Sequence, residues 1–193
     1  MNDNELRRAL GHLTRGIDDG QSHFFWGVYF ESDLERHIHE IKWRLNRQKC
    51  YLIINVGGGN REMGHWLGLF LVGKKGYFLD SLAKNYGFYG GKLLNFITGL
   101  NLKILHRMRY RLQNDSSLTC GLYCLYFARE IQLHGVNNVL KNLFDFFFKN
   151  NWRANDRKII RYCYTYFPMP SCQRTLCDWV SREECQLSVC SNL

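Results

Sequence analysis

Proline is nearly missing from this chain, with two residues in 193, Pro168 and Pro170. That scarcity excludes proline-rich linkers and, with 46% apolar and 15% aromatic residues, leaves little room for intrinsic disorder. No apolar run approaches the length that crosses a bilayer, so a membrane-spanning helix is not expected. No leader with a cleavage site precedes the first expected helix. The eight cysteines contain no Cys-x-x-Cys pair and cluster late in the chain, at Cys163, Cys172, Cys177, Cys185 and Cys190 among others. Together these point away from a zinc site or a secreted disulfide scaffold and towards a reducing compartment. In such a compartment the Asn114-Asp-Ser116 triplet is a glycosylation acceptor by pattern only. Acid is also in short supply: 17 Asp and Glu against 26 Lys and Arg give a formal charge of +9. A polyanionic partner is consistent with that excess, and so is a merely soluble basic surface.

What the chain does contain suits one α+β domain with a hydrophobic core, over residues 1–170, followed by a cysteine-bearing tail over 171–193. Residues 4–13 read as a short amphipathic helix, and residues 24–30 as an extended aromatic segment. Ser32 and Glu35 form a capping box for a helix expected to reach about Gln48. Within it, His37 and His39 are two apart and face different sides, so they cannot share a metal. Residues 51–56 and 65–72 are strands by their apolar and β-branched content. The triple glycine from Gly57 has no Lys-Ser or Lys-Thr pair after it, so it reads as a loop rather than a phosphate cradle. Residues 73–76 form a hairpin turn, with residues 77–80 returning. A Gly- and Tyr-rich loop and a helix over 92–98 follow. Residues 101–112 read as a strand on which Arg107, Arg109 and Arg111 alternate onto one face. Two further helices are expected over 139–149 and 155–166.

The most informative stretch runs from Gln113 to Phe127. Asn114, Asp115, Ser116 and Ser117 favour turns, and from Cys120 the pattern is helical, with Leu122, Leu125, Tyr126 and Phe127 on and around one face. A thiol in the first turn of a helix sits against unpaired backbone N–H groups and the positive end of the macrodipole, which favours the nucleophilic thiolate. Gly121 gives room for a close approach, and Gln113 can share a developing oxyanion with the Cys120 backbone N–H. Taken singly, a cysteine is more often a small buried hydrophobe, and Cys50, Cys124 and Cys163 read that way. A base distinguishes Cys120: His65 starts a strand and Asp80 nearly ends its hairpin partner. A register symmetric about Lys74 and Lys75 leaves the two out of step, so their contact needs twist or a bulge. Given contact, Asp80 orients the imidazole and His65 takes the thiol proton.

His65-Trp66, then Leu79-Asp80-Ser81, then Gln113 with Cys120-Gly121, resembles the adenovirus-type (adenain-like) cysteine endopeptidases. That family shares a clan with the proteases of ubiquitin-like proteins. The resemblance extends over about residues 24–168, including the aromatic segment, the Gly-rich loop before His65 and the last amphipathic helix. It implies a papain-like fold with a central mixed sheet packed by helices. The implied activity is a Cys-His-Asp thiol endopeptidase maturing virion precursor proteins at Gly-containing sites, in the host nucleus and the virion. It also implies an activating viral peptide and viral DNA as cofactors. The DNA would be held by Arg107, Arg109, Arg111, Arg157, Lys158 and Arg161 through phosphates rather than bases. Asp80 stands where adenoviruses usually have glutamate, which is closer to the ubiquitin-like-protein proteases. Residues 101–112 have no cysteine for the family's peptide tether, and the tail has no counterpart. The alternatives are a deubiquitinase or ubiquitin-like-protein isopeptidase, and a non-catalytic DNA-binding virion core protein.

Overall fold

The computed structural model describes residues 1–15, 24–57 and 64–167. The tail, with Cys172, Cys177, Cys185 and Cys190, and most of the glycine-rich loop before His65 lie outside these residues. Five strands form one sheet in the order of the chain: β1 (Phe24–Phe30), β2 (Lys49–Val56), β3 (His65–Val72), β4 (Lys75–Leu79) and β5 (Ile104–Arg107). The outer pairs, β1 with β2 and β4 with β5, are parallel, whereas β3 runs antiparallel to both neighbours. Parallel neighbours need a crossover. Helix α2 (Leu34–Leu45) supplies the first and helix α3 (Gly91–Gly99) the second.

The pleat sorts alternate residues onto two cores. Leu52, Ile54, Leu67, Leu69 and Phe78 face α2 and α3. Tyr51, Ile53, Trp66, Phe70 and Leu79 share the second core with α1 (Asp3–Arg15), α4 (Cys120–His134) and α7 (Trp152–Tyr166). Helices on both faces explain why β2 and β3 are nearly continuous apolar runs rather than alternating ones. Helix α4 is buried at every position from Cys120 to Ala128, so it is a central element and not one with a single apolar face. Gly68 helps to seat it. A methyl group there would strike the Tyr51 hydroxyl, which crosses that space to donate to the Cys124 carbonyl at 2.9 Å.

Several local expectations are corrected. The Ser32–Glu35 capping box does not form. Residues Glu31–Asp33 make a 3-10 turn instead, and Asp33 stands at the N-cap without a side-chain cap bond. The helix expected over 139–149 is two short ones, α5 (Val136–Lys141) and α6 (Leu143–Phe146), broken at Asn142. The Gly- and Tyr-rich loop contains a 3-10 turn, Tyr86–Tyr89. The strand expected over 101–112 ends at Arg107, so Arg107, Arg109 and Arg111 do not share a strand face. Beyond it the chain leaves the sheet to follow the residues after β4, with the Leu112 and Gln113 amides donating to the Ser81 carbonyl at 2.8 and 3.1 Å.

Candidate active site

The first question is how His65 and Asp80 meet. The hairpin turn is two residues, Gly73 and Lys74, with Val72 opposite Lys75; Gly73 takes φ 55°, which suits glycine. That register is displaced from the one centred on Lys74 and Lys75. Pairing runs to Gly68 opposite Leu79, so the next position, Asp80, falls opposite Leu67. His65 is then the diagonal same-face neighbour of Asp80, a separation that long side chains span. No bulge is required. The contact is His65 Nε2–H donating to Asp80 Oδ1 at 2.7 Å.

Asp80 is fully buried and saturated with donors. Besides His65, its Oδ1 accepts from the Leu82 amide at 2.9 Å, and its Oδ2 from the Lys84 amide at 2.8 Å and the Tyr89 hydroxyl at 2.7 Å. Burial alone would raise its pKa, but the bond to His65, its charge and these further donors outweigh burial and hold the carboxyl below its ordinary value of 3.8. Tyr89 also lays its ring nearly parallel to the imidazole, 5.6 Å between centroids at 15°. One residue thus braces both the base and its carboxylate.

With Nε2 committed to Asp80, Nδ1 is the nitrogen left for Cys120. The Cys120 thiol is 7% exposed and feels His65 and the backbone N–H groups of Trp66 and Gly121. Burial pushes the thiol up, but these partners prevail and its pKa lies below the ordinary 9.0. Burial likewise depresses the imidazolium, yet Asp80 and Cys120 raise His65 from 6.5 to about 9. Both directions favour a thiolate–imidazolium pair. The helix start assists. Thr119 is the N-cap of α4 but makes no side-chain cap bond; its hydroxyl donates to Asp156 at 2.8 Å. The space over Gly121 differs from the expected substrate approach. A methyl group there would press on the end of the flexible Met1 side chain and touch Trp66 and Leu6 at ordinary contact distance, so this space is lined by packing side chains.

Gln113 is 2% exposed, and its side chain is pinned at both ends. Oε1 accepts from the Ser81 hydroxyl at 2.6 Å, and Nε2 donates to the Ser117 carbonyl at 2.7 Å. An amide nitrogen carries two donors, so a second N–H remains for an oxyanion. The loop from Gln113 to Cys120 is clamped to α7. Asp156 accepts from the Asn114 amide at 3.2 Å and from the hydroxyls of Thr119 and Tyr123 at 2.8 and 3.0 Å. Asn155 donates to the Leu112 carbonyl at 3.2 Å. Burial raises the Asp156 pKa despite these donors. Tyr89 and Asp156 are functional neighbours that sequence reasoning missed. Tyr89 sat in a stretch legible only as a loop, and an Asp in an amphipathic helix carries the same signal as a surface residue.

The basic residues go to separate places. Arg107 and Arg109 line an open hollow of about 510 Å³ with Asn85, Tyr86 and His106. Arg111 is engaged elsewhere. It donates to the Gln113 carbonyl at 2.9 Å, pairs with Asp115 at 2.7 Å and lies 4.0 Å over the Trp152 ring. On α7, Arg157 and Arg161 are exposed, while Lys158 donates to the Phe146 carbonyl at 2.6 Å. Cys50, Cys124 and Cys163 are buried cysteines, with burial raising Cys50 to about 12 and Cys124 well above its ordinary value. Among the described residues no group of three or more His, Cys, Asp or Glu is arranged to hold a metal, and no helix is long and apolar enough to cross a membrane. No known family model matches the chain, and no curated protein matches its sequence.

Proposed function

We propose that this protein is a cysteine endopeptidase of the adenovirus type, with a papain-like arrangement of sheet and helices. The observation that carries this reading is the line Cys120–His65–Asp80, in which the aspartate takes Nε2 and leaves Nδ1 for the thiol. A thiolate of Cys120 attacks the scissile carbonyl carbon, and the carbonyl electron pair moves onto oxygen. The Gln113 side-chain N–H and the Cys120 backbone N–H receive that oxyanion. As the tetrahedral intermediate collapses, the His65 imidazolium gives its proton to the leaving amine, and a thioester remains on Cys120. Neutral His65 then takes a proton from water, whose hydroxide displaces the thiolate and restores the pair. Asp80, ionised and held by four donors, keeps the imidazole in the orientation both halves need. Substrates on this reading are virion precursor proteins cut at Gly-containing sites, with an activating peptide and double-stranded DNA as partners.

The test is turnover of a Gly-rich peptide library beside a thiol-directed probe built on ubiquitin with its C-terminal Gly-Gly. Cleavage lost in both Cys120→Ala and His65→Ala, with folding intact, supports the endopeptidase. Labelling by the ubiquitin probe without peptide cleavage moves the assignment to an isopeptidase. Full turnover in Cys120→Ala removes the reading.

A further inference from the structure

The reading above uses Asp80 and Gln113 but gives no task to Ser81, which lies between them in space. Ser81 is 2% exposed, and its hydroxyl donates to Gln113 Oε1 at 2.6 Å. Its carbonyl accepts from the amides of Leu112 and Gln113 at 2.8 and 3.1 Å. One residue therefore holds the Gln113 backbone and the far end of its side chain. We infer that Ser81 is the positioning residue of the oxyanion site, fixing the plane of the Gln113 amide so that its second N–H meets the reacting carbonyl oxygen. This rests on the endopeptidase reading.

A glutamine amide acts as a fixed donor only when both its nitrogen end and its plane are set. The Ser117 carbonyl can only accept, so it decides which end of the amide is nitrogen. A single bond at Nε2 still allows the amide plane to swing about it. The Ser81 hydroxyl at the opposite end removes that freedom. Its donation to Oε1 also draws electron density from the amide and strengthens the N–H as a donor. Donors fixed before the reaction stabilise developing charge without reorganising, whereas a swinging amide stabilises it less. The placement has a further consequence. Asp80 and Ser81 are adjacent, so one corner after β4 sets the base through His65 and the oxyanion donor through Gln113. The Asp-Ser pair is thus a single device with two outputs.

Because Ser81 acts through Gln113, its effect must disappear when Gln113 is gone. The experiment is a double-mutant cycle of Ser81→Ala and Gln113→Ala. Turnover of the cleaved peptide is normalised to Cys120 titrated by iodoacetamide, so unfolded protein is not counted. Gln113→Ala is expected to lower kcat by roughly a hundredfold or more, as for one lost oxyanion donor. Ser81→Ala is expected to lower kcat by about tenfold with KM unchanged, and to lower it no further in the Gln113→Ala background. The rate and pH profile of Cys120 alkylation should stay as in the wild type, since the thiolate–imidazolium pair is untouched. Ser81→Thr retains the hydroxyl and should recover kcat; it serves as the test should the alanine variant fail to fold. Wild-type kcat in Ser81→Ala, an equal loss in both backgrounds, or no recovery in folded Ser81→Thr would overturn the inference. Turnover that survives Cys120→Ala would instead remove the endopeptidase reading on which it rests.

Discussion

Replacing Asp80 by asparagine tests the base at its root, and its consequences can be worked from the geometry. The carboxylate accepts four hydrogen bonds, from Leu82, Lys84, Tyr89 and His65. An amide offers one oxygen, which can keep two of them. If that oxygen stays with His65 and Leu82, the new NH₂ faces the Lys84 amide and the Tyr89 hydroxyl. The hydroxyl can turn and accept, but the Lys84 N–H has no such choice. One buried donor left unpaired costs about 1–3 kcal/mol. For a chain of this size that lowers Tm by about 2–12 °C, leaving the variant folded at room temperature. The electrostatic consequence is separate. The rise of His65 from 6.5 to about 9 corresponds to about 3 kcal/mol favouring the charged ring. The hydrogen bond to Asp80 is the largest of the interactions that raise the His65 pKa. Its loss moves the imidazolium pKa down towards the ordinary value. The thiolate, deprived of a firmly charged partner, moves up. The pH window in which Cys120 alkylates as an ion pair therefore narrows from both sides, and kcat at neutral pH falls at least about tenfold. Iodoacetamide kinetics between about pH 4 and 10, beside a thermal melt, measure both effects. A window of unchanged width in Asp80→Asn would refute the assignment of Asp80 as the partner of His65.

The stability of the wild type should carry the same signature. Because the folded pKa of His65 is raised, its contribution is complete below about 6.5 and is lost as pH rises through about 9; urea midpoints of wild type and His65→Ala should converge there. Asp156 behaves oppositely to a surface carboxylate. Burial raises its folded pKa, so its contribution is present below the ordinary value of 3.8 and is lost as pH rises through the folded value. Asp156→Asn, which cannot ionise, should flatten that fall, and an unchanged midpoint curve between about pH 3 and 7 would contradict the burial argument. Gly68→Ala should cost about 1–3 kcal/mol by forcing the Tyr51 hydroxyl off the Cys124 carbonyl. Tyr51→Phe in the same chain should recover part of that loss, and additive losses in denaturant midpoints would show that the two residues do not meet.

What the sequence made legible and what it hid divide along a physical line. Strands β1 and β3 were readable to the residue, because aromatic and β-branched runs covered on both faces carry a strong local signal. The proposed nucleophile and base were readable as candidates because helix-start chemistry and a His-Asp pair on adjacent strands constrain one another. Most of what failed depends on partners distant in the chain. The capping box at Ser32 was locally sound, yet Glu31 turns away to accept from the Leu93 amide at 3.1 Å, and the residues after it enter a 3-10 turn instead. The arginine strand ends at Arg107 because, after Met108 donates to Phe78, the next backbone bonds are from Leu112 and Gln113 to Ser81, beyond the end of β4. Arg111, apparently part of a phosphate-binding stripe, is spent on Asp115 and Trp152 beside the loop that carries Gln113. The same reasoning explains Asp156. Its signal in the sequence is that of any helix carboxylate, and only the fold brings it under Thr119 and Asn114. There it accepts from the Thr119 hydroxyl at the N-cap of α4 and from the Asn114 amide in the loop before it. A buried carboxylate that ties this loop and the N-cap residue to α7 thus fixes where the Cys120 helix begins, and no local motif records it.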